Sequence, residues 1–581
     1  MIAKLAPFLG HYKRALWFVP LFALLEVLCE LAMPLLMSRI IDVGIANQDI
    51  GYIGRTGLYM ILLAAVAVGF GMALMWLSTY NSMGFGANLR DAIFAKIQRF
   101  SFNNIDQFST ASLITRVTND ANNLQMTFMM AQRMLLRSPL MLIIASILAY
   151  SINARLSVVL VVAIVALGLG VSLILRSATR RFSVVQQRID GINSRLQENL
   201  IAQRVVKAFV RSDFEIAKFQ QSNDALTNAF VAAVSIIILM MPMMLFVLNG
   251  ATLVILWMGG NMVFAGDLGA GQLISFLSYV GQIMMSVMMI SFVFVMSARA
   301  QASGKRVLEV LETPIDIEDK PVLPTQTPLE VKSGRVEFRD VSFRYNLAGS
   351  GEDVLSGLSF TAESGEVIGI VGGTGSGKTT LVGLIPRLYD VTAGAVLVDG
   401  HDVRDYPLET LRGSVGVVLQ KNTLFSGTIR DNLLWGRRDA TQAEIEVAAR
   451  DAQAHDFIMS FPDGYDTELG QGGVNVSGGQ KQRLTIARAL LKKPKVLILD
   501  DSTSAVDSAT EARIRDSFDN HLADTTVFII AQRISSVSNA DKIIVIDDGK
   551  IVGIGSHQTL LASNAVYGEI YQSQQEGVLA Q

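Results

Sequence analysis

Six stretches of this 581-residue chain are apolar and long enough to cross a lipid bilayer, which takes about 20 apolar residues per helix. All six lie in the first half of the chain, and the second half has the residue mix of an ordinary α/β domain. Backbone inside a bilayer must satisfy its own hydrogen bonds, so these stretches predict membrane helices. They are placed near residues 15–40, 56–83, 134–152, 156–176, 233–258 and 271–297.

Composition agrees with this division. Hydrophobic residues make up 51% of the chain and charged residues only 17%, an unusual balance for a soluble protein. The formal net charge of -2 gives no bulk basic character, so a nucleic-acid partner is not expected. The single cysteine, Cys29, lies in an apolar stretch, which excludes an internal disulfide and a cysteine metal site.

Positive charge is concentrated in two long polar connections, which the sequence predicts to be helical. They join spans two and three and spans four and five, and the other connections are short and poor in lysine and arginine. The positive-inside asymmetry therefore predicts that the N-terminus, both long connections and the C-terminal half lie in the cytoplasm.

A glycine-rich motif follows an apolar strand at 367–371 and precedes a predicted helix at 381–388. A G-x-x-x-x-G-K-[ST] motif between a strand and a helix is typical of a phosphate-binding loop. Its backbone N–H groups converge on one anion, and the helix N-terminus adds a positive dipole end. In such a loop the lysine reaches the outer phosphates and the threonine hydroxyl binds Mg²⁺. The predicted phosphate site consists of Gly372, Gly373, Thr374, Gly375, Ser376, Gly377, Lys378, Thr379 and the adjoining Thr380.

Two further motifs support a nucleotide site. Asp500 ends the buried strand 496–500, where a carboxylate beside a phosphate loop holds Mg²⁺. A second predicted anion site precedes the helix at 484–491 and consists of Ser477, Gly478, Gly479 and Gln480.

The fold class predicted is a membrane all-α domain of six long helices with cytoplasmic extensions, followed by an α/β P-loop nucleotide-binding domain. The predicted boundaries are 1–312 for the membrane domain, 313–334 for a linker and 335–581 for the nucleotide-binding domain. Other strands are expected at 335–343, 415–419, 526–530 and 542–547.

The ordered set of motifs resembles the ATP-binding cassette (ABC) transporters, and the whole chain resembles a half-transporter of the exporter type. The resemblance implies that Tyr345 stacks on adenine and that Gln420 contacts Mg²⁺ and the attacking water. It also makes 476–480 the signature, with Val476 in place of the usual leucine, 504–507 the D-loop and 467–473 a segment that touches the partner's membrane helices. Such proteins form head-to-tail dimers in which each ATP lies between one chain's phosphate loop and the other chain's signature.

Two positions depart from the family pattern. Asp501 stands where the family has a glutamate that polarises the attacking water, and its side chain is about 1.5 Å shorter in reach. Gln532 stands where the family has a histidine, and an amide cannot carry a proton as imidazole can. The two changes predict a degenerate ATP site and a different half-transporter as partner, carrying the intact glutamate and histidine. The alternative is a homodimeric exporter with slow hydrolysis.

Polar and flexible residues within the spans are candidates for binding cargo, which is expected to be a hydrophobic or amphipathic small molecule, a drug or a lipid. The intramembrane carboxylates either attract a cationic cargo or form interhelical bonds, and the methionines either contact cargo or pack between helices. The candidates are Glu26, Glu30, Met244, Asn249, Gln282 and Met285.

These features together predict an ATP-driven exporter subunit in a bacterial inner membrane, working by alternating access. The rival interpretation is an ATP-gated channel or regulator, which weakened hydrolysis suits. Against it, the sequence shows no added regulatory segment and no row of basic residues within the spans.

Overall fold

The computed structural model describes residues 1–320, 329–345, 353–501 and 507–579. The chain forms two compact units. The helical unit comprises Met1–Lys96 and Ala111–Glu312, and the α/β unit comprises Ile97–Thr110 and Thr313–Gln581. The short segment Ile97–Thr110 therefore packs with the C-terminal half of the chain, although it lies between two membrane helices in sequence.

Helices account for nearly all of the first 312 residues. Short π-helical segments, Ile40–Ile45, Arg116–Asp120 and Ala131–Leu135, adjoin them. The helices are α1 (Ile2–Leu5), α2 (Lys13–Leu16), α3 (Phe18–Arg39), α4 (Ile50–Gln98), α5 (Phe102–Asp106), α6 (Thr110–Thr115), α7 (Ala121–Met130), α8 (Leu136–Ile152), α9 (Ala154–Ile201), α10 (Gln203–Ala208), α11 (Ser212–Ile238), α12 (Met240–Phe264) and α13 (Ala270–Glu312).

Six helical stretches in the described part of the chain are long and apolar enough to cross a membrane, which confirms the predicted spans. The long polar connections are helical as predicted, but each is broken near its middle, after Gln98 and after Ile201. The stretches are Phe18–Ile45, Ile50–Gln98, Thr110–Ile152, Ala154–Ile201, Ser212–Phe264 and Ala270–Ile290.

Helices α3 and α13 are joined by hydrogen bonds at a proline. Pro34 lies inside α3 and removes a backbone donor from that helix. On α13, the Tyr279 hydroxyl donates to the Leu31 carbonyl at 2.7 Å, and the Ser275 hydroxyl donates to the Pro34 carbonyl. Both donors are fully buried, so their hydrogen-bonding groups are satisfied where no water is available.

The same two helices meet at the end of α3. The Asp42 carboxylate accepts the backbone N–H of Gly271 at 2.6 Å and that of Gln272 at 3.0 Å. The Ser38 hydroxyl donates to the same carboxylate at 3.1 Å. Asp42 thus caps the N-terminus of α13, where an acidic group is favoured by the helix dipole.

A buried charge joins the π-helical segment Arg116–Asp120 to α13. Asp120 is 1% exposed and accepts two hydrogen bonds from Arg306, one of them at 2.7 Å from Nε. The Ser303 hydroxyl donates to Asp120 at 2.8 Å, and Arg116 pairs with Glu309 at 2.9 Å. We refer to these five residues as the Asp120 clasp.

The α/β unit contains three sheets. A six-stranded sheet has the order β12-β11-β3-β10-β9-β6, parallel except for β12, and a four-stranded antiparallel sheet has the order β2-β1-β4-β5. The strands β7 and β8 form a small pair. The strands are β1 (Val336–Phe343), β2 (Leu355–Ala362), β3 (Val367–Gly372), β4 (Ala393–Val398), β5 (His401–Asp402), β6 (Val415–Val418), β7 (Gly427–Thr428), β8 (Glu468–Leu469), β9 (Val496–Asp500), β10 (Thr526–Ile530), β11 (Lys542–Asp547) and β12 (Lys550–Gly555).

The helices of this unit surround the six-stranded sheet, whose strands β3, β9, β10 and β11 are nearly all buried. Helix α14 differs from the predicted 381–388: it starts at Lys378 and ends before Pro386, which cannot donate within a helix. The helices are α14 (Lys378–Gly383), α15 (Leu408–Ser414), α16 (Ile429–Leu434), α17 (Gln442–Asp451), α18 (His455–Met459), α19 (Gly478–Leu491), α20 (Ser508–His521), α21 (His557–Ser563) and α22 (Ala565–Leu579).

Helix α5 belongs to the α/β unit and is fixed there by polar contacts. Ser101 and Asn104 form a capping box that starts the helix. The Asn104 amide donates to the Pro314 carbonyl at 3.1 Å, and Arg99 pairs with Glu318 at 3.1 Å.

Candidate functional site

The glycine-rich loop runs from the end of β3 into α14, as the motif predicts. Gly377 has a φ of 93°, and a Cβ there would lie 2.6 Å from Leu355, so only glycine fits the start of α14. The Lys378 ammonium donates to the carbonyls of Gly372 at 3.0 Å and Gly373 at 2.6 Å. Burial lowers the pKa of Lys378, and the nearby carboxylates of Asp500 and Asp501 partly offset this effect.

The outer side of the loop is open and fits a phosphate chain. Gly373, Thr374 and Gly375 are exposed, and a Cβ added to either glycine would meet no atom within 4 Å. The backbone N–H groups of the loop and the first turn of α14 border this space, which suits an anion. The residues present therefore fit the triphosphate of a nucleotide.

Beside the loop, Asp500 and Thr379 form a pair of oxygen ligands. The Thr379 hydroxyl donates to Asp500 Oδ1 at 3.1 Å, and Asp500 is only 3% exposed at the end of β9. Burial raises the pKa of the Asp500 carboxyl, since a charge there is poorly solvated. A hydroxyl and a buried carboxylate beside a phosphate loop are the donor set that Mg²⁺ prefers.

The three predicted catalytic residues contact one another. The Gln532 amide donates to Asp501 Oδ2 at 2.7 Å, and the Gln420 side chain donates a second hydrogen bond to the same carboxylate. Asp501 has a φ of 49°, and its backbone N–H donates to the Ile530 carbonyl at 3.0 Å. Burial raises the pKa of Asp501, while the two amides act in the opposite direction. The Asp501 carboxylate is therefore fixed between two glutamine side chains.

Tyr345, the predicted adenine contact, lies among aromatic side chains. Its hydroxyl shares a hydrogen bond with Thr380 at 2.9 Å. Its ring meets the edges of Phe343 at 4.9 Å and Tyr389 at 5.2 Å. The Tyr389 hydroxyl in turn donates to Asp106 of α5 at 2.8 Å. The predicted base site is therefore connected to the segment between the second and third spans.

The predicted signature starts α19. The Ser477 hydroxyl accepts from the Gln480 N–H at 3.3 Å, and the Gln480 side chain accepts from the Ser477 N–H at 2.8 Å. Ser477 and Gly478 are exposed, so this helix N-terminus faces outward from the unit. In the predicted D-loop, residues 504–506 lie outside the described residues.

In the helical unit, Glu26 and Glu30 both face Arg137 of α8. Arg137 pairs with Glu30 at 2.5 Å and with Glu26 at 3.6 Å, so the carboxylates take part in interhelical ion pairs, one of the two roles predicted for them. Glu26 and Arg137 line a cavity of about 340 Å³. Its other lining residues are Gly71, Leu74, Met129, Met130, Arg133, Met134, Ser138 and Met289.

The other predicted cargo residues do not line this cavity. Met244 is 4% exposed and packs in the helix core, so it is unsuited to contact cargo. Met285 and Asn249 are exposed on α13 and α12. Gln282 has a buried side-chain oxygen without a hydrogen-bond donor in the described part of the chain.

Sequence reasoning missed Arg133 and Arg137 as members of this cavity. Both lie where the basic connection between spans two and three meets span three. A usable signal was present, because Arg137 lies within the apolar stretch that ends at Ile152. An arginine in such a position requires an acidic partner, and Glu26 and Glu30 are the acidic residues of the first span.

Comparison with known proteins gives a consistent result. Residues 16–287 match the profile of the ABC transporter transmembrane region, and residues 355–504 match that of the ABC transporter domain. The ABC transporter ATP-binding protein YfiB of Bacillus subtilis is 39% identical over 98% of each chain. The chain belongs to the ABC transporter family. It has the membrane and ATP-binding domains of an ABC exporter half-transporter and is a multi-pass membrane protein that couples transport to ATP hydrolysis.

Two more similarities concern the exporter subgroup. The ATP-dependent lipid A-core flippase of Syntrophus aciditrophicus is 35% identical over 84% of this chain and 80% of its own length. The structure of a bacterial Atm1-family ABC exporter with ATP bound is 25% identical and superposes with a TM-score of 0.77. That match covers 97% of this chain and 99% of the other, so this half-transporter has the Atm1-type exporter fold.

Proposed function

We propose that this half-transporter is the weakly hydrolytic subunit of a heterodimeric exporter of hydrophobic or amphipathic small molecules. The observation that carries the proposal is the hydrogen bond from the Gln532 amide to the Asp501 carboxylate at 2.7 Å. Both residues depart from the family pattern, and the side-chain amide of Gln532 is hydrogen-bonded to the side-chain carboxylate of Asp501.

The geometry at Asp501 supports slow hydrolysis at this site. A general base must present a free lone pair to the attacking water within hydrogen-bond reach. Asp501 accepts amide hydrogens from Gln532 and Gln420, and its side chain is one methylene shorter than glutamate. A misplacement of about 1 Å costs on the order of a hundredfold in rate.

Nucleotide binding is retained at the same site. Tyr345 receives the adenine, the loop and Lys378 hold the phosphates, and Thr379, Asp500 and Gln420 hold Mg²⁺. When bound, Mg²⁺ neutralises charge on the phosphate oxygens. The open loop and the hydrogen bond from the exposed Thr379 to the buried Asp500 support this role. ATP at this site therefore closes the dimer and is released slowly.

The signature of this chain serves the partner. Ser477 is exposed at the N-terminus of the 14-residue helix α19, and its capping box is complete. Such a terminus binds phosphate oxygens. The partner is a second half-transporter with an intact glutamate and histidine, and its ATP lies against Ser477 and the adjoining glycines.

The membrane half carries drugs or lipids by alternating access. The N-terminus and the α/β unit lie on the cytoplasmic side of a bacterial inner membrane, as the distribution of lysine and arginine indicates. The lipid A-core flippase relative acts on a lipid, which supports an amphipathic cargo.

The test is ATP turnover by the purified chain alone and by the chain carrying Asp501→Glu and Gln532→His together. We expect slow turnover by the unaltered chain and an increase of tenfold or more in the double variant. The variant Lys378→Ala, which loses the phosphate contact, is the control for contaminating ATPase. Fast turnover by the unaltered chain would contradict the proposal.

A further inference from the structure

The cavity beside Arg137 has an apolar wall and a charged wall. Four methionines and Leu74 supply flexible apolar surface, and Glu26, Arg133 and Arg137 supply charge. A volume of about 340 Å³ is enough for the head group and first carbons of an amphipathic molecule. Since α3, α4, α8 and α13 all contribute, the cavity lies among four of the predicted membrane helices.

Arg137 and Glu30 neutralise each other. Their side chains pair at 2.5 Å, and the Arg137 Nε lies 3.6 Å from Glu26 Oε1, which is an ion-pair distance too long for a hydrogen bond. Gly71 leaves room for Glu26 here, because a Cβ at that position would approach Glu26 Oε1 to 3.3 Å.

The second oxygen of Glu26 remains unsatisfied. Glu26 Oε2 is buried and has no hydrogen-bond donor in the described part of the chain. A buried carboxylate oxygen without a donor costs free energy, which a ligand N–H group would recover.

Arg133 supplies the complementary group. Its side chain is exposed and lines the cavity one helical turn before Arg137. Within the described ranges, no acidic oxygen lies within 4 Å of its guanidinium and no hydrogen bond occupies it. The cavity thus offers one free guanidinium and one acceptor oxygen without a donor, and the four charges of Glu26, Glu30, Arg133 and Arg137 sum to zero.

We propose that this cavity binds a zwitterionic amphiphile that carries an N–H-bearing ammonium and a phosphate in one head group. The ammonium donates to the Glu26 carboxylate, the phosphate accepts from Arg133, and the apolar chain lies against Met129, Met130 and Met289. Such an amphiphile would be the cargo of the proposed exporter. Its transport, unlike its binding, rests on the proposed function.

Ligands of a single charge fit less well. A simple cation satisfies Glu26 but is repelled by Arg133, and a simple anion pairs with Arg133 but leaves Glu26 Oε2 without a donor. A quaternary ammonium has no N–H group, so it cannot donate to Glu26 at all.

The test is equilibrium binding, without nucleotide, to the full chain in detergent. Three probes share one acyl chain and differ in the head group: lysophosphatidylethanolamine, lysophosphatidylcholine and lysophosphatidylmethanol, whose singly charged head group carries no N–H or O–H donor. We expect the ethanolamine probe to bind about tenfold more tightly than the other two, the factor that one charge-assisted hydrogen bond supplies. Equal affinities for the three probes would overturn the proposal.

Two variants assign the contacts. Glu26→Gln should remove the preference for the ethanolamine probe without lowering the affinity for the methanol probe, because the anionic head group loses a repulsive neighbour. Arg133→Gln should lower the affinity for all three probes about equally. Because Arg133 is exposed, this substitution should leave the ion pairs of Arg137 with Glu26 and Glu30 intact. Asp190→Asn, on the exposed part of α9, is the matched control and should change nothing. A preference that survives Glu26→Gln would also overturn the proposal.

The binding test needs neither ATP nor a partner, so it tests the proposed binding site independently of the proposed export function. If the preference is found but vesicles show no ATP-driven movement of the probe, the exporter proposal fails and the site stands. If transport occurs without any head-group preference, the site fails and the exporter proposal stands.

Discussion

Asp500 combines a buried position with a charge, and its cost to folding depends on pH. Burial raises its pKa above the ordinary value of 3.8, so the folded chain binds this proton more tightly than the unfolded chain does. The contribution of Asp500 to the free energy of unfolding is therefore most favourable in acid. It falls as the pH rises from about 3.8 through the raised pKa of the folded chain. At neutral pH the full penalty of the buried carboxylate is present.

We expect Asp500→Asn to raise the thermal unfolding midpoint of the nucleotide-free chain at pH 7.5 by about 2 °C. Asparagine keeps the oxygen that accepts from Thr379 and removes the charge. The gain should shrink as the pH is lowered toward 4.5, and Mg²⁺-dependent ATP binding should weaken. Asp463→Asn, at an exposed turn, is the control; a lower midpoint for Asp500→Asn than for this control would contradict the argument.

At the scale of elements, the Asp120 clasp joins the extension of the third span to that of the sixth. Asp120 is 1% exposed, so its charge depends on Arg306 and Ser303. Removal of one partner from a buried ion pair leaves an uncompensated charge, which is more costly than loss of the pair itself.

Because Asp120 is buried but Arg306 is about half exposed, Arg306→Ala should destabilise the chain by about 2 kcal/mol, measured as a drop in its thermal or denaturant midpoint. Adding Asp120→Asn to that variant should restore part of the loss, because the unpaired charge disappears. Lys305→Ala changes the exposed neighbouring cation and should have little effect. If the double variant were less stable than Arg306→Ala, the loss would have another cause.

Helix α5 is fixed to the α/β unit in part by the hydrogen bond from Tyr389 to Asp106. Burial, assisted by Asp106, raises the pKa of the Tyr389 phenol, so the donor stays protonated at neutral pH. We expect Tyr389→Phe to accelerate amide hydrogen exchange of residues 102–106 about fivefold, the effect of one lost hydrogen bond.

Tyr406→Phe provides the comparison, because the Tyr406 hydroxyl donates to the Val398 carbonyl within the sheet at 2.8 Å. That variant should leave exchange in α5 unchanged. Equal exchange in α5 for both variants would show that Phe102 and the capping box suffice to hold the helix.

Local patterns predicted the elements well. The apolar run before Gly372 gave β3, and the run ending at Asp500 gave β9, because buried parallel strands have a strong sequence signal. The antiparallel strands β2 and β4 were not among the expected strands: β2 alternates between buried and less buried residues, and β4 begins with Ala393 and Gly394, which strands disfavour. The pairing of Arg137 with Glu30 joins residues 107 positions apart, and no local pattern encodes such a contact.

At the scale of the whole molecule, the proposal requires that the two ATP sites of the dimer differ. Under that proposal, the phosphate loop of this chain would serve the slow site, and its exposed Ser477 would serve the fast one. The same chain should therefore respond in opposite ways to substitutions in its two nucleotide motifs.

In a co-purified pair with its partner half-transporter, Ser477→Arg in this chain should reduce ATPase activity about a hundredfold, since it blocks the fast site. Lys378→Ala in this chain should reduce it only a few fold. A larger loss from Lys378→Ala than from Ser477→Arg would exclude this division of labour between the two sites.

The cap that Asp42 places on α13 limits how the helices can move. Asp42 accepts two hydrogen bonds from the backbone at the start of α13 and a third from Ser38 of α3, so we expect the end of α3 and the start of α13 to move together during a transport cycle. Spin labels placed near the two ends would keep a constant separation in every conformational state. Such a pair would provide a fixed reference distance, against which the displacement of every other helix can be measured.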